Sequence, residues 1–320
     1  MKVFHGTEEY RDFLRNTGSG KGTAVALGKF DGIHLGHAKL IDAMIEEAGK
    51  RGLNTLLFTF DKPFASYFTG EKPEVLTTNK EREEAVREWG IDHLLEYPLR
   101  SDTVSVSPED FVDRVLIEGI NTKFIAAGPD MSYGSGGKGN ITSLRESSRG
   151  RFEVLEVEKV KLKGETVSST LVRDRLKKGE MEEVRELLSR PYSVSGKVSH
   201  GRKLGASILN MPTVNIMPEE YKLLPPFGVY FSETVVGSER FKSITNIGIK
   251  PTVQEMGQVN CETFLYGFAE DLYGENIRVE LLHFLREEKK FNSMEDLKKA
   301  MHDDMLSGEE YFNKTADMED

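Results

Sequence analysis

The chain has 320 residues, of which 38% are hydrophobic and 30% charged, and its length is about twice that of a typical domain of ~150 residues. It contains no run of about 18 uncharged apolar residues, which excludes a transmembrane helix. It has a single cysteine, which excludes a disulfide framework and a cysteine-rich zinc site. The net charge of -10 argues against nucleic-acid binding by the whole surface, although local amides and a few cations can still bind a small anion. Residues 1–10 lack an apolar core, so no secretory signal is expected and a cytoplasmic location is predicted.

The first half of the chain alternates between short apolar runs and segments with apolar residues at helical spacing. The predicted strands are 23–27, 53–60, 91–95, 124–127 and 152–157, and the predicted helices are 38–48, 80–89 and 108–118. Strands and helices in alternation predict a Rossmann-like α/β domain with a doubly wound parallel sheet. Ligands in such sheets bind beyond the carboxyl ends of the strands. A glycine-rich segment at 134–139 is predicted to be a mobile loop.

The pattern changes after about residue 190 to short runs rich in β-branched and aromatic residues. Six strands are predicted, at 192–198, 213–216, 228–235, 241–247, 262–268 and 277–285. They favour an antiparallel barrel or a sandwich, closed by one amphipathic helix at 293–301. The acidic tail after about residue 307 is expected to fray. The predicted domains are therefore 1–188 and 189–320.

The first motif is the glycine–histidine turn (residues 28–37, GKFDGIHLGH), which follows the first buried strand and opens a helix. Backbone amides and the helix dipole at such a position favour a phosphate. Gly36 lets a polyphosphate approach the backbone, and His34 and His37 are donors that can reach the same oxygens. The alternative is that the two histidines are ordinary surface residues of a loop.

A second motif, VSSTLVR at residues 167–173, precedes another predicted helix. Hydroxyl groups and free amides at a helix start also suit a phosphate, and Arg173 lies one turn into the helix. The alternative is that the serines only cap the helix and Arg173 is an ordinary helix cation. Gly128, Pro129 and Asp130 follow a predicted strand, at the edge where a ligand of the sheet would bind.

The first half resembles a known enzyme family through these motifs. His-X-Gly-His on the first strand-to-helix turn resembles the nucleotidylyltransferases, and the longer Gly-X-Phe-Asp-Gly-X-His-X-Gly-His resembles the bacterial FAD synthetases. The resemblance implies that His34 and His37 hold ATP phosphates as pyrophosphate leaves, that Arg173 contacts phosphates from the opposite side, and that Asp130 and Tyr133 line the flavin site. It further implies nucleotide contacts at Gly28, Phe30, Asp31, Gly32, Gly36, Ser168, Ser169 and Thr170.

The predicted barrel carries candidate oxygen ligands at Thr213 and Asn215, which alternate on one strand and so share a face. Hydroxyl and amide oxygens are hard ligands that suit Mg²⁺ bound to a nucleotide. The glycine-punctuated segment 195–205 can wrap phosphates with its amides, with Gly196, Gly201 and Gly205 as nucleotide-binding candidates. The alternative is structural, because Pro-Thr-X-Asn is also a common turn sequence.

The second half is similar to riboflavin kinases through RPY at 190–192, PTVN at 212–215, GVY at 228–230 and NIG at 246–248. This similarity implies that Thr213 and Asn215 hold Mg-ATP and that Glu262 is the general base for the riboflavin 5′-hydroxyl. It places Arg286 near the flavin. The alternatives are that Glu262 is a surface acid at a strand edge and that Arg286 only pairs with nearby acids.

Together the resemblances cover nearly the whole chain and imply a bacterial bifunctional riboflavin kinase/FMN adenylyltransferase. Riboflavin, FMN, FAD and ATP are the implied ligands, with Mg²⁺ as cofactor, no nucleic acid or membrane as partner, and a monomer or weak homo-oligomer as the assembly. Two alternatives remain: a paralogue with one of the two activities, and a flavin-binding regulatory protein without turnover. The departures from the family pattern that bear on them are Lys29, Lys62, Phe64, Met131, Ser132, Phe264 and Gly267.

Overall fold

The computed structural model of the chain describes residues 1–18, 20–70, 73–199, 213–249, 258–268 and 270–316. The chain divides into two compact units, Met1–Leu171 and Val172–Asp320. Compactness alone does not say which activity residues 172–188 serve, so the functional boundary between residues 188 and 189 stays a prediction. No helix in the described ranges is both long and apolar enough to span a membrane.

The first unit is built on a parallel sheet. Its strands within the described ranges are β1 (Lys2–Phe4), β2 (Thr23–Leu27), β3 (Asn54–Phe60), β4 (His93–Tyr97), β5 (Thr122–Ala127), β6 (Ser132–Tyr133), β7 (Gly139–Asn140), β8 (Glu153–Glu156), β9 (Lys161–Leu162) and β10 (Glu165–Thr166). Six of these form the sheet in the order β1-β4-β3-β2-β5-β8, and every neighbouring pair is parallel. Strand order reverses between β2 and β5, which makes their carboxyl ends the switch point at which ligands bind.

Helices cover both faces of this sheet. They are α1 (Thr7–Thr17), α2 (Leu35–Arg51), α3 (Phe64–Thr69), α4 (Asn79–Glu88), α5 (Ser101–Val104), α6 (Pro108–Asp110), which continues as a π-helix at Phe111–Gly119, and α7 (Ile141–Ser148). Successive residues of β2 enter two different cores: Val25 and Leu27 pack in one, Ala24 and Ala26 in the other. Both faces of a parallel sheet are buried in this way, and the predicted doubly wound domain is confirmed.

Several elements of the first unit differ from the sequence-based prediction, among them the short helices α3, α5 and α7. Strand β1 and helix α1 were not predicted, although two glutamates in the first turn of α1 and Gly18 with a φ of 61° at its end are ordinary helix signals. The segment 134–139, predicted to be a loop, contains a one-turn 3₁₀ helix at Ser135–Gly137 between β6 and β7. These two strands pair antiparallel, so the segment is a small hairpin.

The second unit is a barrel. Two helices precede it, α8 (Ser169–Lys177), which contains the point where the units divide, and α9 (Met181–Leu188). Its strands are β11 (Tyr192–Ser199), β12 (Thr213–Ile216), β13 (Gly228–Val236), β14 (Glu239–Ile249), β15 (Val259–Leu265) and β16 (Asn276–Glu287). They close in the order β11-β12-β15-β14-β13-β16, with all neighbours antiparallel. The structure therefore decides between barrel and sandwich in favour of the barrel.

The last helix, α10 (Met294–Ala316), is much longer than predicted. The expectation that the chain frays after residue 307 is wrong, because the second half of the helix packs on the barrel. Phe312 is 4% exposed, and the Tyr266 hydroxyl donates a hydrogen bond to the Met305 carbonyl at 2.8 Å. Asp304 accepts a two-pronged hydrogen bond from Arg286, at 2.9 and 2.6 Å. Acidic composition predicted fraying, but these contacts stabilise the helix.

Candidate active sites

The glycine–histidine turn lies at the switch point, directly after β2 and before α2. Its backbone is strained: Phe30 and Ile33 have φ values of 49° and 44°, and Gly32 has 90°. A left-handed conformation costs a residue with a side chain about 1–3 kcal/mol, which the surroundings must offset. Both apolar side chains are fully buried, and that burial is the compensating contribution.

The two histidines lie against one another at the start of α2. Their rings are stacked, with centroids 3.8 Å apart and an angle of 16° between the planes. His34 is the N-cap of the helix, where its Nδ1 accepts a hydrogen bond from the His37 amide at 3.4 Å. A neutral imidazole that accepts at Nδ1 carries its proton on Nε2, so His34 presents an N–H donor at its other nitrogen.

The glycines of the turn leave room for rings. A Cβ atom on Gly36 would lie 3.1 Å from Cε1 of His34, and one on Gly28 would lie 3.1 Å from Cε2 of Phe30. Both distances are shorter than ordinary carbon contacts. A side chain at position 36 would therefore push the His34 ring by a few tenths of an ångström, in addition to hindering the approach of a phosphate.

The second motif meets the first through Asp31. The Ser169 hydroxyl donates to the carbonyl of Asp31 at 2.8 Å, although 138 residues separate them. Ser168 caps α8 by accepting a hydrogen bond from the Leu171 amide at 3.2 Å, so part of the alternative, that the serines are caps, is correct. Thr170 is exposed, and Arg173 lies half-buried one turn further along α8. The phosphate contacts of these residues stay predictions.

The carboxylate of Asp31 binds a segment that is distant in sequence. Its Oδ1 accepts hydrogen bonds from the amides of Leu76 and Thr77, at 2.8 and 3.2 Å. The Thr77 hydroxyl in turn accepts from the amide of Gly32 at 3.1 Å. Residues 76 and 77 were not predicted as partners of the turn, because a contact across 45 positions leaves no local pattern in the sequence.

The two predicted flavin residues of this unit have different surroundings. Asp130 is exposed and forms an ion pair with Lys159. Tyr133 is 6% exposed, packs against Phe111 with ring centroids 5.4 Å apart, and shares a hydrogen bond of 3.2 Å with the Ser143 hydroxyl. Tyr133 thus belongs to the core around β5, and its role toward a flavin stays a prediction.

Two of the unusual residues of the first unit, Lys29 and Phe64, lie close together. Phe64 lies edge-on to Phe60, with ring centroids 4.6 Å apart, and the Lys29 ammonium lies 5.9 Å from the Phe64 ring. Lys62, which lies between Phe60 and Phe64 in the sequence, is exposed. Ser132 is exposed, and Met131 packs on the core next to β5. The departures at positions 29 and 64 are therefore neighbours, with the Lys29 cation near the face of the Phe64 ring.

In the barrel, three neighbouring strands place polar residues in one row. Asn215 on β12 pairs with Glu262 on β15, and Glu262 pairs with Asn246 on β14. Residues opposite each other on antiparallel strands project to the same face. The Thr213 hydroxyl, diagonal to this row, donates to Oε1 of Glu262 at 2.8 Å. The carboxylate and both predicted ligands are thus adjacent.

A Mg²⁺ ion fits this oxygen set. Because the Thr213 proton is donated to Glu262, the lone pairs of its oxygen remain available to a cation. Oδ1 of Asn215 accepts from Nδ2 of Asn260 at 2.9 Å, which orients the amide and leaves a second lone pair. Among the described residues no cluster of three or more histidine, cysteine or acidic side chains offers a competing metal site.

Three neighbours of this row were missed by the sequence reasoning: Asn246, Asn260 and Glu288. Asn260 is 5% exposed and orients Asn215, and Asn246 donates to Oε1 of Glu288 at 3.2 Å. Asn260 precedes Glu262 by two positions, the same alternation that singled out Thr213 and Asn215, so a signal was present. Glu288 lies in a charged run, which gave no signal.

The other predicted barrel residues are placed as follows. Gly196 lies within β11, where a Cβ would be 3.1 Å from Cβ of Ile216. Gly201 and Gly205 lie outside the described residues. Arg286 forms the fork with Asp304, so the alternative that it pairs with an acid is correct for this structure, while a contact with flavin stays a prediction.

The two departures in the barrel have simple structural settings. Phe264 packs against Tyr266 with ring centroids 5.2 Å apart. Gly267 has a φ of 69°, a turn conformation that glycine adopts without strain.

Cys261, next to Glu262 in sequence, is fully buried, and burial raises the pKa of its thiol to about 12. This keeps it protonated, so it is not a nucleophile.

Two family models match this chain in separate stretches. A family model described as FAD synthetase matches residues 17–171, and one described as riboflavin kinase matches residues 188–312. The bifunctional riboflavin kinase/FMN adenylyltransferase of Listeria monocytogenes is 34% identical over 92% of this chain and 93% of its own. The chain belongs to this family. The enzyme of the same name from Escherichia coli is 31% identical over 92% of this chain and 94% of its own.

Membership confirms the resemblance inferred from the two sets of motifs, and with it the classification of the chain as an enzyme. The Bacillus subtilis member is 32% identical over 91% of this chain. Among solved structures, a macrolide-efflux protein from Streptococcus pneumoniae has a TM-score of 0.82 at 26% identity, with 97% of each chain covered. The fold alone is taken from this last comparison.

Proposed function

We propose that the chain makes FAD from riboflavin in two ATP-dependent steps, phosphorylation in the barrel and adenylylation in the first unit. The observation that carries this proposal is that one chain holds both a stacked histidine pair at a helix start and a carboxylate aligned with two oxygen ligands. The first arrangement suits departure of pyrophosphate, and the second suits attack by a hydroxyl on a phosphate.

In the phosphorylation step, Glu262 takes the proton from the riboflavin 5′-hydroxyl as the oxygen attacks the γ-phosphorus of ATP. The bond from that phosphorus to the bridging oxygen breaks, and ADP leaves with FMN as the product. Thr213 orients the carboxylate through its hydrogen bond. Thr213 and Asn215 would hold a Mg²⁺ ion, which would neutralise charge on the phosphates when bound. The general base contributes a factor of about 10²–10⁴.

In the adenylylation step, a phosphate oxygen of FMN attacks the α-phosphorus of ATP and the bond to pyrophosphate breaks. His34 and His37 donate hydrogen bonds to the oxygens on which charge grows, and the N-terminus of α2 adds its amides and dipole. We assign Ser168, Ser169 and Arg173 to the opposite side of the same phosphates. No covalent enzyme intermediate is required, since positioning and charge stabilisation suffice for the displacement.

The finer assignments belong to the same proposal. Residues 1–188 carry adenylyl transfer and residues 189–320 carry phosphorylation. Asp130, Tyr133 and Arg286 contact the flavin, and the nucleotide contacts are those assigned from the motifs. We propose Mg²⁺ as the cofactor, a cytoplasmic location, a monomer or weak homo-oligomer as the active form, and neither nucleic acid nor membrane as a partner.

Product analysis tests the proposal directly. Riboflavin with Mg-ATP should give FMN first and FAD later, and His37→Ala should accumulate FMN. Loss of one preorganised donor of this kind costs about 10²–10³-fold in rate, and the kinase step should remain within about twofold. Wild type that makes no FAD from supplied FMN would establish the single-activity alternative. Flavin binding without either product would establish the regulatory one.

A further inference from the structure

The strained turn that carries the two histidines is held by a segment far away in sequence. Residues 75–78, named here the support segment, are all buried, with exposures of 7, 0, 8 and 5%. The segment touches the turn at two successive residues. The Asp31 carboxylate accepts hydrogen bonds from the amides of Leu76 and Thr77 in this segment, and the Gly32 amide donates to the Thr77 hydroxyl at 3.1 Å.

The support segment is itself fixed by α4. Thr78 is the N-cap of that helix, and it forms a reciprocal pair of hydrogen bonds with Glu81, at 3.2 and 3.0 Å. Arg82, one turn later, forms a buried ion pair with Glu96 of β4 at 2.6 Å. The same guanidinium donates to the carbonyl of Phe60, where β3 ends, at 3.2 Å. The segment therefore has a rigid attachment to the sheet.

The contact to Gly32 is the one that bears on the histidines. Gly32 has a φ of 90° and is followed by Ile33 at 44°, and His34 comes next as the helix cap. The direction in which the chain leaves residue 32 therefore sets the direction of the His34 side chain. Without an acceptor for its amide, a buried Gly32 would favour a different backbone conformation.

We propose that Thr77 is a positioning residue for adenylyl transfer, which acts by fixing the Gly32–Ile33 backbone and through it the His34–His37 pair. This inference rests on the proposed adenylylation step. The hydrogen bonds of Thr77 reach the turn at Asp31 and Gly32, so its effect on the histidines is exerted through the backbone. Its hydroxyl oxygen acts as a hydrogen-bond acceptor, so any residue without that oxygen loses the function while serine keeps it.

The test compares Thr77→Val, Thr77→Ser and the matched control Thr122→Val. Thr122 is also buried, at 2% exposure, and its hydroxyl donates to the Leu116 carbonyl at 2.6 Å, but it lies at the amino end of β5, away from the ligand edge. A misplacement of about 1 Å costs up to about 10²-fold in rate. We expect Thr77→Val to lower kcat for FAD formation roughly 10- to 100-fold, with the KM for FMN within about threefold.

Thr77→Ser should recover FAD formation to within about threefold of wild type, and Thr122→Val should keep it. Riboflavin phosphorylation by the same chains should be unchanged, which controls for folding and concentration. In a double-mutant cycle, Thr77→Val added to His34→Ala should cost no more than about a further threefold, because the alignment of the His34 side chain no longer matters once that side chain is removed. Full additivity, or equal losses in the serine and valine variants, would overturn the proposal.

Hydrogen exchange separates this proposal from the adenylylation reaction itself. In the ligand-free protein, amides of residues 28–37 should exchange faster in Thr77→Val than in wild type or Thr77→Ser. Wild type that forms no FAD would refute the proposed adenylylation, and the exchange pattern would still decide the role of Thr77. Unchanged protection of residues 28–37 in Thr77→Val refutes the positioning role, whatever the activity of the wild type.

Discussion

Replacement of Glu262 by glutamine isolates proton removal from every other property of that side chain. Glutamine has the same length and keeps an oxygen at the position of Oε1. The hydrogen bond from Thr213, which is 2.8 Å long in the structure, can therefore persist. The pairing of Glu262 with Asn215 and Asn246 runs through the backbone and is unaffected. What the variant loses is the ability to take a proton.

The expected loss in riboflavin phosphorylation is about 10²–10⁴-fold in kcat. At ~1.4 kcal/mol per factor of ten, this raises the barrier by about 3 to 5 kcal/mol. The KM for ATP should change by less than about threefold, since neither Thr213 nor Asn215 is altered. Adenylylation of supplied FMN should stay at the wild-type rate, because the histidine pair belongs to the other unit.

The assay follows FMN formation from riboflavin and FAD formation from FMN in separate reactions. The matched control is Glu288→Gln, since Glu288 is an acid near the same row through its contact with Asn246. That variant should phosphorylate riboflavin within about threefold of wild type. A Glu262→Gln enzyme within about fivefold of wild type refutes the base assignment, and a selective loss in Glu288→Gln would transfer the role to Glu288.

Two further predictions follow from individual contacts. Thr213→Val keeps the shape of the side chain but removes the oxygen, so the Mg²⁺ concentration that half-saturates the kinase reaction should rise at least about tenfold. FAD formation from FMN should be unchanged. If wild type and variant give identical Mg²⁺ titrations, Thr213 does not belong to the metal site. Burial lowers the pKa of His93 below its usual 6.5, against an opposing effect of Asp92. The unfolded chain therefore binds more protons below about pH 6.5, and stability falls as the pH drops through that range. His93→Gln should show a shallower fall between about pH 6.5 and 5 in urea unfolding, and equal slopes would contradict the assignment.

Local patterns predicted most of the strands, because each depends on a short apolar or alternating run. The predicted strands at 23–27 and 213–216 have the observed bounds of β2 and β12. The pairing between strands was not predictable in the same way. Glu262 faces Asn215 because β12 and β15 pair in one register, and the two residues are 47 positions apart. A role for Glu262 was predicted only from the resemblance of the chain to riboflavin kinases.

The candidate sites show the same limit. The histidines and the Thr213–Asn215 alternation were visible because their chemistry lies within a few residues. Thr77 was not visible, since its effect is exerted on Gly32 across 45 positions. The extent of α10 was also missed, because its stabilising contacts, such as Arg286 with Asp304, join distant parts of the chain.

The two sites differ in what holds them, and this bears on the single-activity alternative. The barrel row lies on regular strands, where backbone pairing alone aligns Asn215 with Glu262. The histidine turn contains two strained residues, Phe30 and Ile33, and depends on hydrogen bonds to the backbone and the Thr77 hydroxyl of the support segment. A site of the second kind is lost by more substitutions, because each supporting contact is a separate requirement. Lys29 and Phe64, two of the departures, also contact each other beside that turn. If one activity were impaired in this chain, adenylyl transfer would be the one to fail, and FMN would be the product that accumulates.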